Sequence, residues 1–451
     1  MGTAAADPDP TAATGSNRPA LAALGLLGLA YVALAVLWAA SGSNVVLATS
    51  GGSPGWLLGP FEPLGAAFAD GHLGGPLFYA GLWVALLAYC AVLAFARRLG
   101  TRTVAAAIVL AHVLFALAPP LLSQDVFTYI AYARLDVVHG LDPYTHSPGD
   151  IPGDPVYPFA GSKDFTSVYG PLFTVATFPL AKVSVAVAFW TLKAVAALAS
   201  LAIVGLVWWC ARHLGRDPRL PALVVGLNPL VLVHVVGGAH NDALTVLFWM
   251  GGVAALLATR EALAGTLTAL SGAVKASAAV LGPFMLIGAR RRAALLAGAA
   301  GGALLAIAIA LVAFGDSALE AFALLGDNQE RTSRWSIPQR TADGIAALTG
   351  GSAADIVDYT RAVLGMLLIV AVALLLRAAW RRRTEPDGWI APAGWATLGV
   401  LLTTAWLVPW YAIWLLPLAA LGGDRRLLGA SIALCAYMMV IAMPLEPFSP
   451  Y

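Results

Sequence analysis

The chain has 451 residues, 60% of them hydrophobic and only 11% charged, with a formal net charge of +2 and a mean hydropathy of +0.81. Soluble globular proteins carry about 25% charged residues, so that class is excluded, and no nucleic-acid partner is expected. What remains is an all-α polytopic membrane protein without a soluble domain.

Residues 1–18 are polar, rich in Ala, Asp and Pro, and read as a disordered tail. They lack a basic n-region, and the apolar run 20–40 is too long for a signal-peptide core, so it reads as a first span that stays. Cytoplasmic loops collect Lys and Arg. The basic clusters are Arg97, Arg98 and Arg102; Arg212, Arg216 and Arg219; Arg260; Arg290 to Arg292; Arg381 to Arg383; and Arg425 with Arg426. Placing all six inside makes the N-terminus cytoplasmic and creates no conflict. Spans are then expected at 19–40, 76–96, 103–122, 186–211, 220–237, 242–258, 293–314, 361–380, 389–407 and 427–444. The stretches 262–289 and 389–421 each begin and end beside cytoplasmic charges. Each must enter and return, the first interrupted at Lys275 and the second turning at Pro409-Trp410-Tyr411. Broken helices at membrane depth need protein or a water-filled cavity around them, which predicts a cavity open to the outer face. The expected total is about thirteen membrane helices. Cys90, Cys210 and Cys435 lie in or beside apolar runs without metal-ligand spacing and read as packing residues.

This topology leaves 41–75, 123–185 and 315–360 outside, with only short connections inside, so the working face is expected to be extracytoplasmic. The third span ends at Ala118-Pro119-Pro120, which puts Asp125 just past its outer end. Residues 126–138 read as a short amphipathic helix with Phe127, Ile130, Ala131, Leu135 and Val138 on one face. His139-Gly140 stops it, Asp142-Pro143-Tyr144 makes a turn, and Tyr169-Gly170-Pro171 opens a second interfacial helix.

A carboxylate at the rim of a span needs a partner or a task; for Asp125 alone, capping the following helix is an equal alternative. Other ionisable groups shift the balance. His240-Asn241-Asp242 sits at another outer helix end, Lys275 at a broken helix, and Arg331, Arg334 and Arg340 in a third outer segment. Lys193, two turns into an apolar helix, is explained as well by snorkelling as by function. No carboxylate cluster has metal-ligand spacing, so no metal and no separate cofactor are expected.

The run QDVFTYIAYARLDVVHGLDPYTHSPGD, followed by SVYGPLF and GGAHNDAL, resembles the actinobacterial polyprenol-phosphomannose-dependent α-1,6-mannosyltransferases, membrane enzymes of the GT-C class. The similarity covers the chain from the third span onward. It implies a GT-C catalytic core at 103–451 with outer loops 123–185 and 315–360, preceded by two added transmembrane helices at 19–102. Asp125 matches the family's catalytic acid position. The expected reaction is inverting transfer of mannose from polyprenyl-phosphate-mannose to a mannan or glycolipid acceptor at the plasma membrane's outer face. Asp125 would act as base, with Lys275, Arg331 and Arg334 as the cations for the donor phosphate. Tyr129, Tyr169, His240, Asn241, Asp242, Trp410 and Tyr411 are candidates for substrate contact. Capping by Asn241 or Asp242 and interfacial-belt roles for Trp410 and Tyr411 are the structural alternatives. Transfer of arabinofuranose or glucose, or transport of a lipid-linked sugar, are the rival functions.

Overall fold

The computed structural model describes residues 17–40, 54–66, 74–319 and 333–440. Among them the regular structure is entirely helical. The longer helices are α1 (Arg18–Ala40), α2 (Gly74–Ala94), α3 (Thr101–Leu117), α4 (Asp125–His139), α5 (Pro171–Thr177), α6 (Val185–His213), α7 (Arg219–Gly226) and α8 (Asp242–Leu257). They continue with α9 (Glu261–Val274), α10 (Gly282–Gly288), α11 (Arg292–Phe314), α12 (Ile337–Thr349), α13 (Ala353–Arg381), α14 (Ile390–Thr403), α15 (Ala412–Leu421) and α16 (Arg425–Val440). Five of the described helices, α1, α2, α6, α11 and α13, are long and apolar enough to cross a membrane, or six spans if the bent pair around α7 counts as one. The apolar helices α3, α8 and α14 are shorter, at 17, 16 and 14 residues.

Two departures from the sequence reading have local causes. The single span expected at 220–237 is bent by 59° between α7 and a π-helical turn, Val231–Val236. Pro229 lacks an N–H, and the Asn228 side-chain oxygen accepts from the N–H groups of Leu230 and Val231, so the second limb restarts from its own cap. Lys193 does not snorkel. Its side chain is wholly buried and bonded to backbone carbonyls.

The two stretches are interrupted at the expected residues. The chain leaves helix α9 at Lys275, whose backbone is extended (φ −158°, ψ 127°), before a tight helical turn leads into α10. Residues 390–421 turn at Pro409–Tyr411 between α14 and α15. Helix α9 can sit against α11 because both faces are nearly bare backbone. A Cβ on Gly298 would lie 1.9 Å from the Ala262 carbonyl oxygen, and one on Gly265 would lie 2.0 Å from that of Leu295. Small residues at such spacing let apolar helices approach on dispersion contacts alone.

The loop 123–185 is held as a unit. Helix α4 ends where Gly140 takes the left-handed conformation (φ 66°), and the Asp142 carboxylate accepts from the Tyr144 N–H in the expected turn. Asp154 anchors the rest: it accepts from Arg134 at 2.8 and 2.9 Å and pairs with His139 at 2.8 Å. Burial pushes the Asp154 carboxyl up, but Arg134, His139 and the Val156 N–H outweigh it and hold it below its ordinary value.

Candidate active site

Helix α4 starts at Asp125 with Gln124 as its cap residue and no side-chain cap. The capping role considered for Asp125 is therefore absent. Its own N–H donates to the Ser123 hydroxyl at 3.1 Å, and its partly exposed carboxylate faces the buried imidazole of His240, Oδ2 to Nε2 at 3.5 Å. The His240 Nδ1–H donates to the His234 carbonyl at 2.7 Å. That bond fixes which nitrogen points at Asp125, as second-neighbour bonds do for functional histidines. The His240 ring lies on Trp410 with centroids 3.8 Å apart and an interplanar angle of 19°, a stack that holds the plane of the imidazole. Burial pushes the Asp125 carboxyl up. His240, the nearby Lys275 charge and the Ser123 hydroxyl outweigh it, so the carboxyl lies below its ordinary value.

Two residues along the chain, a second acidic group is organised differently. The Asp242 carboxylate is fully buried and receives Lys275 Nζ at 3.0 Å on both oxygens. Trp414 Nε1–H adds a third bond at 2.7 Å. Lys275 also lies over the rings of Tyr411 (4.6 Å) and Trp414 (5.4 Å), which stack on each other at 3.9 Å. Asp242 is thus the counter-ion of Lys275. The Asn241 amide is buried and makes no hydrogen bond among the described residues, so it is not a helix cap either.

Loop and broken helix meet at the Tyr169-Gly170 pair. The Gly170 N–H donates to the Val274 carbonyl at 3.0 Å, immediately before Lys275. A Cβ on Gly170 would lie 2.1 Å from the Ala273 carbonyl oxygen, so only glycine allows this approach. Tyr169 packs edge-on against Tyr129 at 4.9 Å, and the Tyr129 hydroxyl accepts from the Asn241 N–H at 3.5 Å.

The structure therefore gathers Asp125, Tyr129, Tyr169, His240, Asn241, Asp242, Lys275, Trp410 and Tyr411 around one junction. Arg334 is exposed, with its guanidinium over the Trp335 ring at 5.2 Å. Its neighbour Ser333 bonds the carbonyls of Ala405 (2.8 Å) and Leu407 (3.0 Å), on the strap that leads into Trp410. Arg331 lies outside the described residues. Sequence reasoning missed Trp414 and the His234 carbonyl. Trp414 falls four residues after Trp410, one helical turn on, which was the available signal; nothing in the sequence marked His234.

A sequence model described as alpha-(1->6)-mannopyranosyltransferase, N-terminal domain, matches residues 22–291. The chain belongs to this family. A second model, described as the MptB C-terminal domain, matches residues 340–447. The chain is 32% identical over 355 residues to alpha-(1->6)-mannopyranosyltransferase A of Mycobacterium tuberculosis, covering 73% of this chain and 67% of that protein. A Mycolicibacterium smegmatis relative is 28% identical over 70% of this chain and 65% of its own length. Alpha-(1->6)-mannopyranosyltransferase B of Corynebacterium glutamicum is 27% identical over 67% of this chain and 56% of its own. The chain thus spans about two thirds, or less, of the relatives it matches. No solved structure matches it. These are mannosyltransferases, a family of enzymes, and the site joins both matched segments. Asp125, His240, Asp242 and Lys275 come from the first, and Trp410, Tyr411 and Trp414 from the second.

Proposed function

We propose that this chain transfers mannose from polyprenyl-phosphate-mannose to a mannan or glycolipid acceptor, forming an α-1,6 linkage with inversion at the extracytoplasmic face of the plasma membrane. The architecture that goes with this reading is a GT-C fold of about thirteen membrane helices, the two broken hairpins included. Asp125 is the base. It takes the proton from the acceptor hydroxyl while that oxygen bonds to the anomeric carbon, and the bond from that carbon to the phosphate oxygen breaks. Polyprenyl phosphate leaves from the opposite face with both bonding electrons. The observation that carries this reading is the Asp125–His240 pair: one carboxylate, partly exposed, kept ionised by an oriented imidazole at 3.5 Å. A base held below its ordinary value is weak, so the proton moves late, once the acceptor oxygen has acquired bonding to carbon and become acidic.

The charge on Lys275 is matched by Asp242, which leaves Lys275 as an orienting group at the site. Arg334, which forms no ion pair among the described residues, is the stronger candidate for the departing phosphate, and Arg331 precedes it in the same segment. A guanidinium suits bidentate phosphate contact. The Asn241 amide, without a hydrogen-bond partner among the described residues, and the Trp410 face are the groups available to sugar hydroxyls and a sugar ring.

The test uses membranes containing the parent or Asp125→Asn protein, radiolabelled polyprenyl-phosphomannose and an α-mannoside acceptor, with linkage read by NMR of the product. The parent should form an α-1,6 product, and Asn should lower the rate roughly 10²–10⁴-fold. An abundant, folded Asp125→Asn protein transferring at the parental rate refutes the base assignment. Movement of labelled lipid without glycosidic product would make the protein a transporter instead.

A further inference from the structure

Lys193 lies about two turns into α6, and its side chain is fully buried. Among the described residues its ammonium faces no carboxylate. It donates to three main-chain carbonyls: Ala118 at 2.5 Å, Pro119 at 3.3 Å and Gly237 at 3.0 Å. An ammonium has three N–H donors and a neutral amine two, so this acceptor set matches the charged form. The partners are also where charge belongs. Ala118 and Pro119 follow the C-terminus of α3, and Gly237 follows the π-helical turn. Carbonyls at helix C-termini carry the negative end of the helix dipole and favour a cation.

What these carbonyls precede is the chemistry. Pro119 is six residues before Asp125, and Gly237 is three before His240. The Leu121 N–H adds a second tie to the same Gly237 carbonyl, at 3.2 Å. Just beyond the ammonium, each arm carries a non-glycine residue in the left-handed region: Leu122 (φ 55°) on the Asp125 arm and Ala239 (φ 55°) on the His240 arm. Such backbone persists only where the surroundings over-determine it. Two arms, both bent out of the preferred basin, are pinned at their base by one buried cation.

We propose that Lys193 is a positioning residue: its ammonium staples the arm carrying Asp125 to the arm carrying His240 and so sets their mutual geometry. The staple serves transfer only if the Asp125–His240 pair is the reactive centre, so its role in catalysis rests on the function proposed above. Removing the ammonium strips the Ala118 and Pro119 carbonyls of this donor, leaves Gly237 only the Leu121 N–H, and lets the arms part. A displacement on the order of 1 Å at a reacting pair costs about 100-fold in rate.

The experiment compares the full chain, in lipid nanodiscs, as parent, Lys193→Met, Lys193→Arg, Asp125→Asn, His240→Gln and the Lys193→Met/His240→Gln double variant. Lys193→Met should lower kcat roughly 10- to 100-fold, leaving KM for donor and acceptor within about two-fold of the parent. Lys193→Arg, which keeps a cation and N–H donors, should recover part of that loss. The double variant should be no slower than His240→Gln alone, because residues acting through one pair are not additive. Amide hydrogen exchange in Lys193→Met should quicken in both 118–128 and 234–242, a readout that needs no turnover. Parental kcat in Lys193→Met, or a loss that multiplies with that of His240→Gln, overturns the proposal. So does faster exchange spread evenly over the chain. If Lys193→Met fails to accumulate, Lys193→Gln provides the same comparison. An Asp125→Asn protein working at the parental rate would remove the base assignment, while hydrogen exchange would still decide whether the staple exists.

Discussion

Removing the Lys275 side chain's charge is the perturbation whose outcome the structure constrains most tightly. Lys275 Nζ sits 3.0 Å from both oxygens of Asp242, whose side chain is 0% exposed, while that of Lys275 is 16% exposed. At that distance and an effective dielectric of about 20, the attraction is roughly 5 kcal/mol. Desolvation of two ions offsets most of it, so the intact pair contributes little net stability. Lys275→Met is different, because it strands the Asp242 carboxylate with only the Trp414 N–H. Breaking a buried pair from one side costs about 3–5 kcal/mol; the partial exposure of Lys275 puts the expected value near the lower figure. Lys275→Met/Asp242→Leu removes both charges and should recover most of the loss, while Asp242→Leu alone strands a lysine that can reach water and should cost less than Lys275→Met. The assay is thermal or denaturant unfolding in nanodiscs, followed by intrinsic tryptophan fluorescence, which Trp414 at the pair should report directly. A Lys275→Met protein as stable as the parent, or a double variant whose loss is the sum of the single losses, would refute the reasoning. Recovered stability without recovered transfer would separate the packing role of the pair from its role at the site.

His240→Gln should remove the group that contributes most to holding the Asp125 carboxyl down against burial. Because that value is depressed in the folded protein, the pair's stabilisation is present above the ordinary carboxylate range and is lost as pH falls through the depressed value. His240→Gln should therefore move the acidic limb of kcat/KM to higher pH, and an unmoved limb in a pH–rate profile would contradict the assignment. Gly170→Ala should push the Tyr169-Gly170 turn off the α9 break, since its Cβ would meet the Ala273 carbonyl oxygen at 2.1 Å. Overpacking of this kind costs about 1–3 kcal/mol; both thermal stability and transfer should drop, and a variant unchanged in both would show that the contact is dispensable.

Much of the local structure was written into the sequence because it depends on neighbours along the chain. Apolar runs marked which segments are helical, five of them long and apolar enough to span, and Gly140 and the Asx turn at Asp142 marked where the loop helix ends. The interruption at Lys275 and the turn at Pro409 were legible for the same reason. Asp125, His240 and Lys275 stood out because an ionisable group is expensive in an apolar chain whatever it touches. Which group each one touches was not legible. Lys275 could equally have met a phosphate, and only the packing of α8 against α9 gives it to Asp242. The bend at Asn228-Pro229 turns His234 and His240 inward together, and the return of residues 409–414 brings Trp410 onto His240 and Trp414 onto Asp242. Lys193 shows the division most plainly. Sequence gave a lone lysine in an apolar helix, for which reaching the surface was a sound expectation. Its three carbonyl partners lie 44 to 75 residues away along the chain. Hydropathy is a property of the segment, but the partner of a buried charge is decided by which segments the tertiary fold brings within 3 Å, and that geometry converts scattered ionisable residues into one site.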